Sequence, residues 1–145
     1  LRDLSLVTID GDDAKDFDDA VYAEYVSKKK EWRVLVSIAD VSYYVKSNSA
    51  LDKEAKIRGN SVYLPNFVIP MLPEELSNDR CSLKPNEDRL CLTVEIILDQ
   101  KGEKKSHSFF RSIINSKKRL TYRQVEDVID KKNTNEIFDN EIIII

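Results

Sequence analysis

The stretch Thr8–Tyr22, TIDGDDAKDFDDAVY, decides how the rest of the chain is read. Six of the ten residues from Asp10 to Asp19 are aspartates, and Lys15 is the only cation among them. Carboxylates crowded this closely repel and raise one another's pKa, so a folded chain tolerates them mainly when a cation sits between them. Hard divalent ions such as Mg²⁺ take oxygen ligands and neutralise such a cluster directly. An acidic run is more often a solvated loop or tail, but the flanks here argue otherwise. Leu4, Leu6, Val7 and Ile9 lead in with strand character, and Ala20, Val21, Tyr22, Tyr25 and Val26 lead out the same way. The acidic stretch is therefore a hinge between two strands. An EF-hand calcium loop needs Gly at its sixth position and Glu at its twelfth. Counted from Asp10, those places hold Lys15 and Val21; counted from Asp13, Glu24 fits but Asp18 replaces the glycine. The EF-hand pattern is excluded.

Outward from the hinge, residues 4–9 and 19–26 read as strands, and Lys28–Lys30 as a polar turn. Trp32 to Ala39, WRVLVSIA, is the strongest strand signal; its near-continuous apolar character predicts a central strand buried on both faces. A helix is expected from Ser49 through ALDKEAKIR, stopped by Gly59. Residues 61–73 carry Pro65, Pro70 and Pro73 and read as an extended apolar segment crossing the body of the domain. A short helical turn at Glu74–Leu76 leads to a polar loop, SNDRCSLKPNEDR. Leu90 to Leu98 is a second strong strand, with 106–114 pairing back across a turn containing Gly102. Thr121 and Gln124 form a capping box for a last helix with Val125, Val128 and Ile129 inward. Residues 131–145 read as weakly ordered. The fold class is α+β, a mainly antiparallel sheet with flanking helices.

A chain of 145 residues that is 41% hydrophobic and 34% charged suits one globular domain. No apolar run approaches the ~20 residues of a membrane span, so no membrane partner is expected. LRDLSLVTID carries no signal-peptide core, and EIIII makes an odd free terminus, so the sequence reads as a piece of a longer protein. Cys81 and Cys91 form no metal-binding pattern and read as reduced, partly buried thiols of a cytoplasmic protein. The single His107 excludes most His-dependent nucleophilic chemistry and reads as a surface residue. A net charge of −3 lacks the basic footprint of a self-sufficient nucleic-acid binder. Arg58, Lys117, Lys118 and Arg119 could meet phosphates or make surface salt bridges.

Asp16 and Asp18 are two apart and in extended backbone project to one side, with Asp10 across the loop able to close over the same ions. Two divalent cations ~3.5–4 Å apart, bridged by carboxylates, cleave phosphodiesters by in-line attack without a histidine. Other two-metal enzymes and plain cation sites share this spacing.

The run TIDGDDAKDFDDAVY, followed in order by VSIADVSYYV, LDKEAKIRGNSVYLPNFVIPMLP, ELSNDRCSL and RLTYRQV, resembles the catalytic domain of the ribonuclease II/ribonuclease R family, the RNB domain. YYV, RGNSVYLP and ELSN..CSL are most similar to its ribonuclease R branch. The resemblance spans about Leu4 to Asp130. It implies a processive Mg²⁺-dependent 3′→5′ exoribonuclease that hydrolyses single-stranded RNA to nucleoside 5′-monophosphates in the cytoplasm. The family's four catalytic, metal-associated aspartates match Asp10, Asp16, Asp18 and Asp19. Within that set, Asp10, Asp16 and Asp19 are expected to bind metal and Asp18 to align the phosphate or its water. Asp12 and Asp13 are expected to face solvent. Tyr63 matches a position whose ring stacks on a base near the 3′ end, and Tyr122 a second position near the RNA. The resemblance also implies that residues 1–145 are the N-terminal portion of one such domain. The remainder of that domain and OB-type RNA-binding modules would complete the parent. The rivals are a catalytically silent scaffold of the same fold, which retention of all four aspartates disfavours, and an unrelated cation-binding module, which leaves Tyr63 unexplained.

Overall fold

In this computed structural model, which describes residues 1–130, the acidic stretch leaves one strand and enters its neighbour. Strand β1 (Val7–Asp10) runs up to it and β2 (Asp19–Val26) runs away, antiparallel through Val7 and Val21. A turn with Lys30 at φ 54° reverses the chain into β3 (Glu31–Ala39). A single helical turn, α1 (Val41–Tyr44), and then α2 (Ala50–Arg58) follow. The short strands β4 (Val62–Tyr63) and β5 (Val68–Ile69) precede a π-helical turn at Leu76–Arg80. Strands β6 (Asp88–Leu98), β7 (Lys104–Asn115) and β8 (Lys118–Thr121) lead to α3 (Tyr122–Ile129).

The main sheet has six strands in the order β7-β6-β3-β2-β1-β8. Every neighbouring pair is antiparallel except β1 and β8, which run parallel with Thr8 opposite Arg119 and Asp10 opposite Thr121. The expected α+β class with a mainly antiparallel sheet is the one found. Strand β8 and its parallel pairing had no signal in KKRLT, residues 117–121, a mostly basic stretch with one apolar residue.

Strand β3 is interior, as expected, but it is not buried on both faces. Leu35, Ser37 and Ala39 alternate into the core, while Ile38 on the other face is 45% exposed. Leu92, opposite Ile38 on β6, is 47% exposed on that same face. A continuous apolar run reports that both sides avoid charge; it does not report which side is covered. The covered face carries Leu6, Phe17, Ala20, Ala39, Cys81, Leu83, Cys91 and Ile114, with Ala14, Tyr22, Tyr44 and Leu76 packed around them. Phe17 and Ala14 come from the acidic hinge itself, so the hinge is anchored to the core.

Two other expectations fail in instructive ways. Residues 61–73 do not cross the domain; they fold back as a two-stranded arm with Tyr63 opposite Val68. Pro65 pre-sets a tight turn, closed by the Leu64 N–H donating to Phe67 O at 3.0 Å. Val62, Leu64, Phe67, Val68 and Ile69 all remain exposed. Residues 77–80 are helical rather than loop, and the following Cys81, Ser82 and Leu83 are buried.

Helix α2 is capped by Ser49, whose side chain accepts from the Asp52 N–H, and ends at Gly59 with φ 76°. It buries no residue, and Ile57 is 81% exposed. The Thr121–Gln124 capping box of α3 is present in both directions, but Ile129 is exposed rather than inward. His107 is exposed on β7, as expected. Among the described residues no helix is long and apolar enough to cross a membrane. The weak order expected for 131–145 lies outside the described residues.

Candidate active site

The strand register brings the two ends of the acidic hinge side by side. Asp10 is the last residue of β1 and Asp19 the first of β2. Between them the chain makes a loop whose backbone is pinned on both limbs. The Ala14 N–H donates to Gly11 O, and the Arg119 side chain donates to Gly11 O at 2.6 Å and Asp12 O at 2.5 Å. On the other limb, the Phe17 N–H donates to Ser82 Oγ at 3.1 Å, and Ser82 Oγ–H donates to Lys15 O at 2.8 Å. The Leu83 N–H donates to Phe17 O at 2.8 Å. The loop is thus a built structure, held by Phe17 in the core and by hydrogen bonds from two distant segments.

The loop gathers the four expected aspartates. Asp10 has its pKa raised, first by burial and then by the charges of Asp19 and Asp16, with Arg119 opposing. Asp18 is raised by loss of solvent around its carboxylate and by Asp16, Asp19 and Asp10. All four carboxylates therefore lie within one another's fields. Asp10 Oδ2 is buried and has no hydrogen-bond partner. Mutually repelling oxygen donors, one of them orphaned, fit a hard divalent cation. They are not drawn into a closed cage: among the described residues, no three acidic, histidine or cysteine groups converge in a metal-holding arrangement. Asp12 and Asp13 point to solvent, as expected.

The raised carboxyls set a pH dependence. A folded-state pKa above the unfolded value means that the folded chain holds more protons in between, so stability is greatest below that window and falls as pH rises through it. Asp52, Asp79 and Asp88, held low by hydrogen bonds from Lys56, Lys84 and Arg2, act in the opposite direction. The hinge contribution is therefore the difference between wild type and Asp18→Asn. In chelator, urea denaturation from about pH 4 to about pH 7 should show wild type losing stability relative to the variant as pH rises.

Tyr63 reaches the loop from the arm. Its hydroxyl donates to Asp16 Oδ2 at 2.8 Å, although the residue is 64% exposed. Tyr122 opens α3 one residue beyond Thr121, the register partner of Asp10, and is 63% exposed. Both expected RNA-contacting rings thus stand open beside the acidic loop. Tyr43 and Tyr44, assigned to packing, meet edge to face; Tyr44 lies against the core and Tyr43 remains half exposed.

The cations of uncertain role separate. Arg58 pairs with Glu54 and donates to Pro70 O, bracing the arm, while Lys117 donates to Arg2 O. Arg119 makes no ion pair among the described residues and holds the loop backbone. Ser82 and Leu83 were missed as site residues because CSL in a polar stretch carries no sign of what it holds. Both cysteines are free and buried, more deeply than expected. Burial, reinforced by Asp40, pushes the Cys91 thiol up to about 12, so it is no nucleophile.

The RNB domain family profile matches residues 1–141. The chain is 55% identical over 132 residues to ribonuclease R of Vibrio parahaemolyticus, covering 90% of this chain and 15% of that protein. Mycoplasma genitalium RNase R in complex with double-stranded RNA superposes with a TM-score of 0.89 at 40% identity, covering 94% of this chain and 24% of that one. The same enzyme in complex with ribose methylated single-stranded RNA gives a TM-score of 0.88, also at 40% identity, covering 94% and 21%. The chain thus spans less than a quarter of the length of each of these relatives. With the profile covering nearly its whole length and the acidic hinge intact, this chain belongs to the RNB domain family.

Proposed function

We propose that this chain is the N-terminal portion of the catalytic domain of a Mg²⁺-dependent, processive 3′→5′ exoribonuclease of the ribonuclease R type, working in the cytoplasm. The observation that carries the reading is the pinned loop that gathers Asp10, Asp16, Asp18 and Asp19 with one buried oxygen left unpartnered. Asp10, Asp16 and Asp19 would hold Mg²⁺ through carboxylate oxygens, and Asp18 would align the scissile phosphate or the attacking water. Bound Mg²⁺, as a two-ion site, would supply an activated water and charge stabilisation for the departing 3′ oxygen. The water oxygen bonds to phosphorus, the P–O3′ bond breaks, and the 3′ oxygen leaves with a proton, releasing a nucleoside 5′-monophosphate.

The protein's own share is orientation. Tyr63, already touching Asp16, offers its ring to a base near the 3′ end, and Tyr122 stands on the Asp10 side. Stacking suits a sequence-tolerant enzyme, because every base has a π-face. Tyr63→Ala is expected to weaken binding of single-stranded RNA by roughly 5- to 150-fold, from about 1–3 kcal/mol of stacking, whereas Tyr63→Phe should retain most of it. Fluorescence anisotropy with labelled RNA in chelator measures both. The grip on the RNA backbone is assigned to the rest of the catalytic domain and to OB-type modules of the full-length gene product, and this chain alone should cleave poorly.

The deciding experiment incubates that full-length product with 5′-labelled single-stranded RNA, with Mg²⁺ or with chelator. A Mg²⁺-dependent ladder shortening from the 3′ end is expected. RNA binding without shortening would favour a silent scaffold and overturn the proposal.

A further inference from the structure

Arg119 is spent in an unusual way. It lies on β8 opposite Thr8, beside the strand that feeds the acidic loop. Its charge is felt by Asp10, yet among the described residues no ion pair joins Arg119 to an aspartate of the loop. Its Nη2 instead donates to the carbonyls of two successive loop residues, Gly11 and Asp12. Its guanidinium lies 5.5 Å from the ring centre of Phe17, which belongs to the opposite limb of the loop. Its Nε is buried without a hydrogen-bond partner.

One planar side chain therefore ties together both limbs of the loop. A guanidinium is suited to this because its donors are fixed in a fork and its face stacks on aromatic rings; an ammonium is a point charge on a flexible stem. The choice of acceptor matters as much. Gripping a carboxylate would remove a ligand oxygen from the cluster. Gripping the Gly11 and Asp12 carbonyls leaves the carboxylate oxygens of the cluster uncommitted to Arg119.

We propose that Arg119 is the positioning residue of the acidic loop: by clamping the Gly11 and Asp12 carbonyls against Phe17, it shapes the backbone into a cation-receptive form without consuming an aspartate. The clamp is a property of the metal-free chain; only the identity of the cation it serves rests on the nuclease reading.

The test separates shape from charge. In the full chain, Arg119→Lys keeps the charge and loses the planar end, whereas citrulline in place of Arg119 keeps the planar end with one NH2 able to reach both carbonyls, and loses the charge. Amide hydrogen exchange of Gly11–Asp16 is measured in chelator, with Leu35 and Thr93 amides on the interior strands as reference. Mn²⁺ affinity is measured by calorimetry. Arg119→Lys should exchange in the loop at least tenfold faster with the reference amides unchanged, and bind Mn²⁺ at least fivefold more weakly. The citrulline protein should keep loop protection within about threefold, a readout that stands even if Arg119→Lys loses its reference protection and fails to fold. Equal loop exchange in wild type and Arg119→Lys would overturn the proposal, as would loss of loop protection on citrulline substitution. Tighter Mn²⁺ binding by Arg119→Lys would also overturn it, showing that Arg119 only competes with the ion. Faster loop exchange in Arg119→Lys, together with absence of RNA shortening by the wild-type full-length product, would support the clamp and retire the nuclease.

Discussion

Asp18→Asn in the full-length gene product is expected to reduce Mg²⁺-dependent shortening of 5′-labelled RNA by about a thousandfold or more, since a group acting at the reacting phosphate is removed. RNA affinity in chelator should stay within about twofold, because stacking and backbone contacts are untouched. The side chain's position explains the selectivity. Asp18 is exposed as a residue although its carboxylate is partly shielded from water; among the described residues that carboxylate makes no hydrogen bond, and it lies in the fields of Asp16, Asp19 and Asp10. Its charge opposes folding of the metal-free chain, so the variant should be at least as stable as wild type in chelator. Lost activity with gained stability is the signature of a functional residue; lost activity with lost stability would point to a structural one. Full activity in the variant would remove Asp18 from the reaction.

Phe17→Ala should produce the largest loss of stability of any single change in the loop. Phe17 is 7% exposed, sits in the main hydrophobic cluster, and is flanked by Asp16 and Asp18. Truncating a buried phenylalanine costs about 3–5 kcal/mol through lost transfer energy and an unfilled cavity. Here the change also removes the ring beneath Arg119 and loosens the limb that Ser82 and Leu83 hold. Urea denaturation should show the loss, and Phe17→Leu, which keeps most of the volume, should recover more than half of it. A loss near that of an average surface substitution, about 0.5 kcal/mol, would mean that the loop is not anchored through this ring.

The contrast between Phe17 and its neighbours shows what the sequence made legible. Alternation and turn residues placed β2, β3, β6 and β7 nearly where they are found, because each depends on a local period of two and on Gly102 or lysine-rich turns. Ser49, Gly59, Thr121 and Gln124 marked helix ends because capping is local chemistry. That Asp10, Asp16, Asp18 and Asp19 would share one loop between two strands was legible through their spacing. Hidden were the features that depend on partners far along the chain. Nothing in KKRLT announces a strand parallel to β1, and nothing in CSL announces that Ser82 bridges Lys15 and Phe17. The arm at 61–73 was misplaced because proline content excludes helix and central strand without saying where an extended segment goes. Ile38 was misjudged for a related reason: an apolar face is written in the residues, but its cover is not.

The parallel pairing of β1 with β8 also orders events in time. Val7 meets Lys118, and Asp10 meets Thr121, so β1 must wait for β8, one of the last elements described, to be made. At about 5–20 residues per second of synthesis, that wait is on the order of ten seconds. The hairpin of β2 and β3 can form as soon as it is made, whereas the acidic loop that leads into it acquires Arg119 only with β8. Until then six like charges share an unbraced segment that repels its own compaction. During synthesis, the loop that gathers the aspartates is thus braced only long after β2 and β3, the strands beside it, have been made.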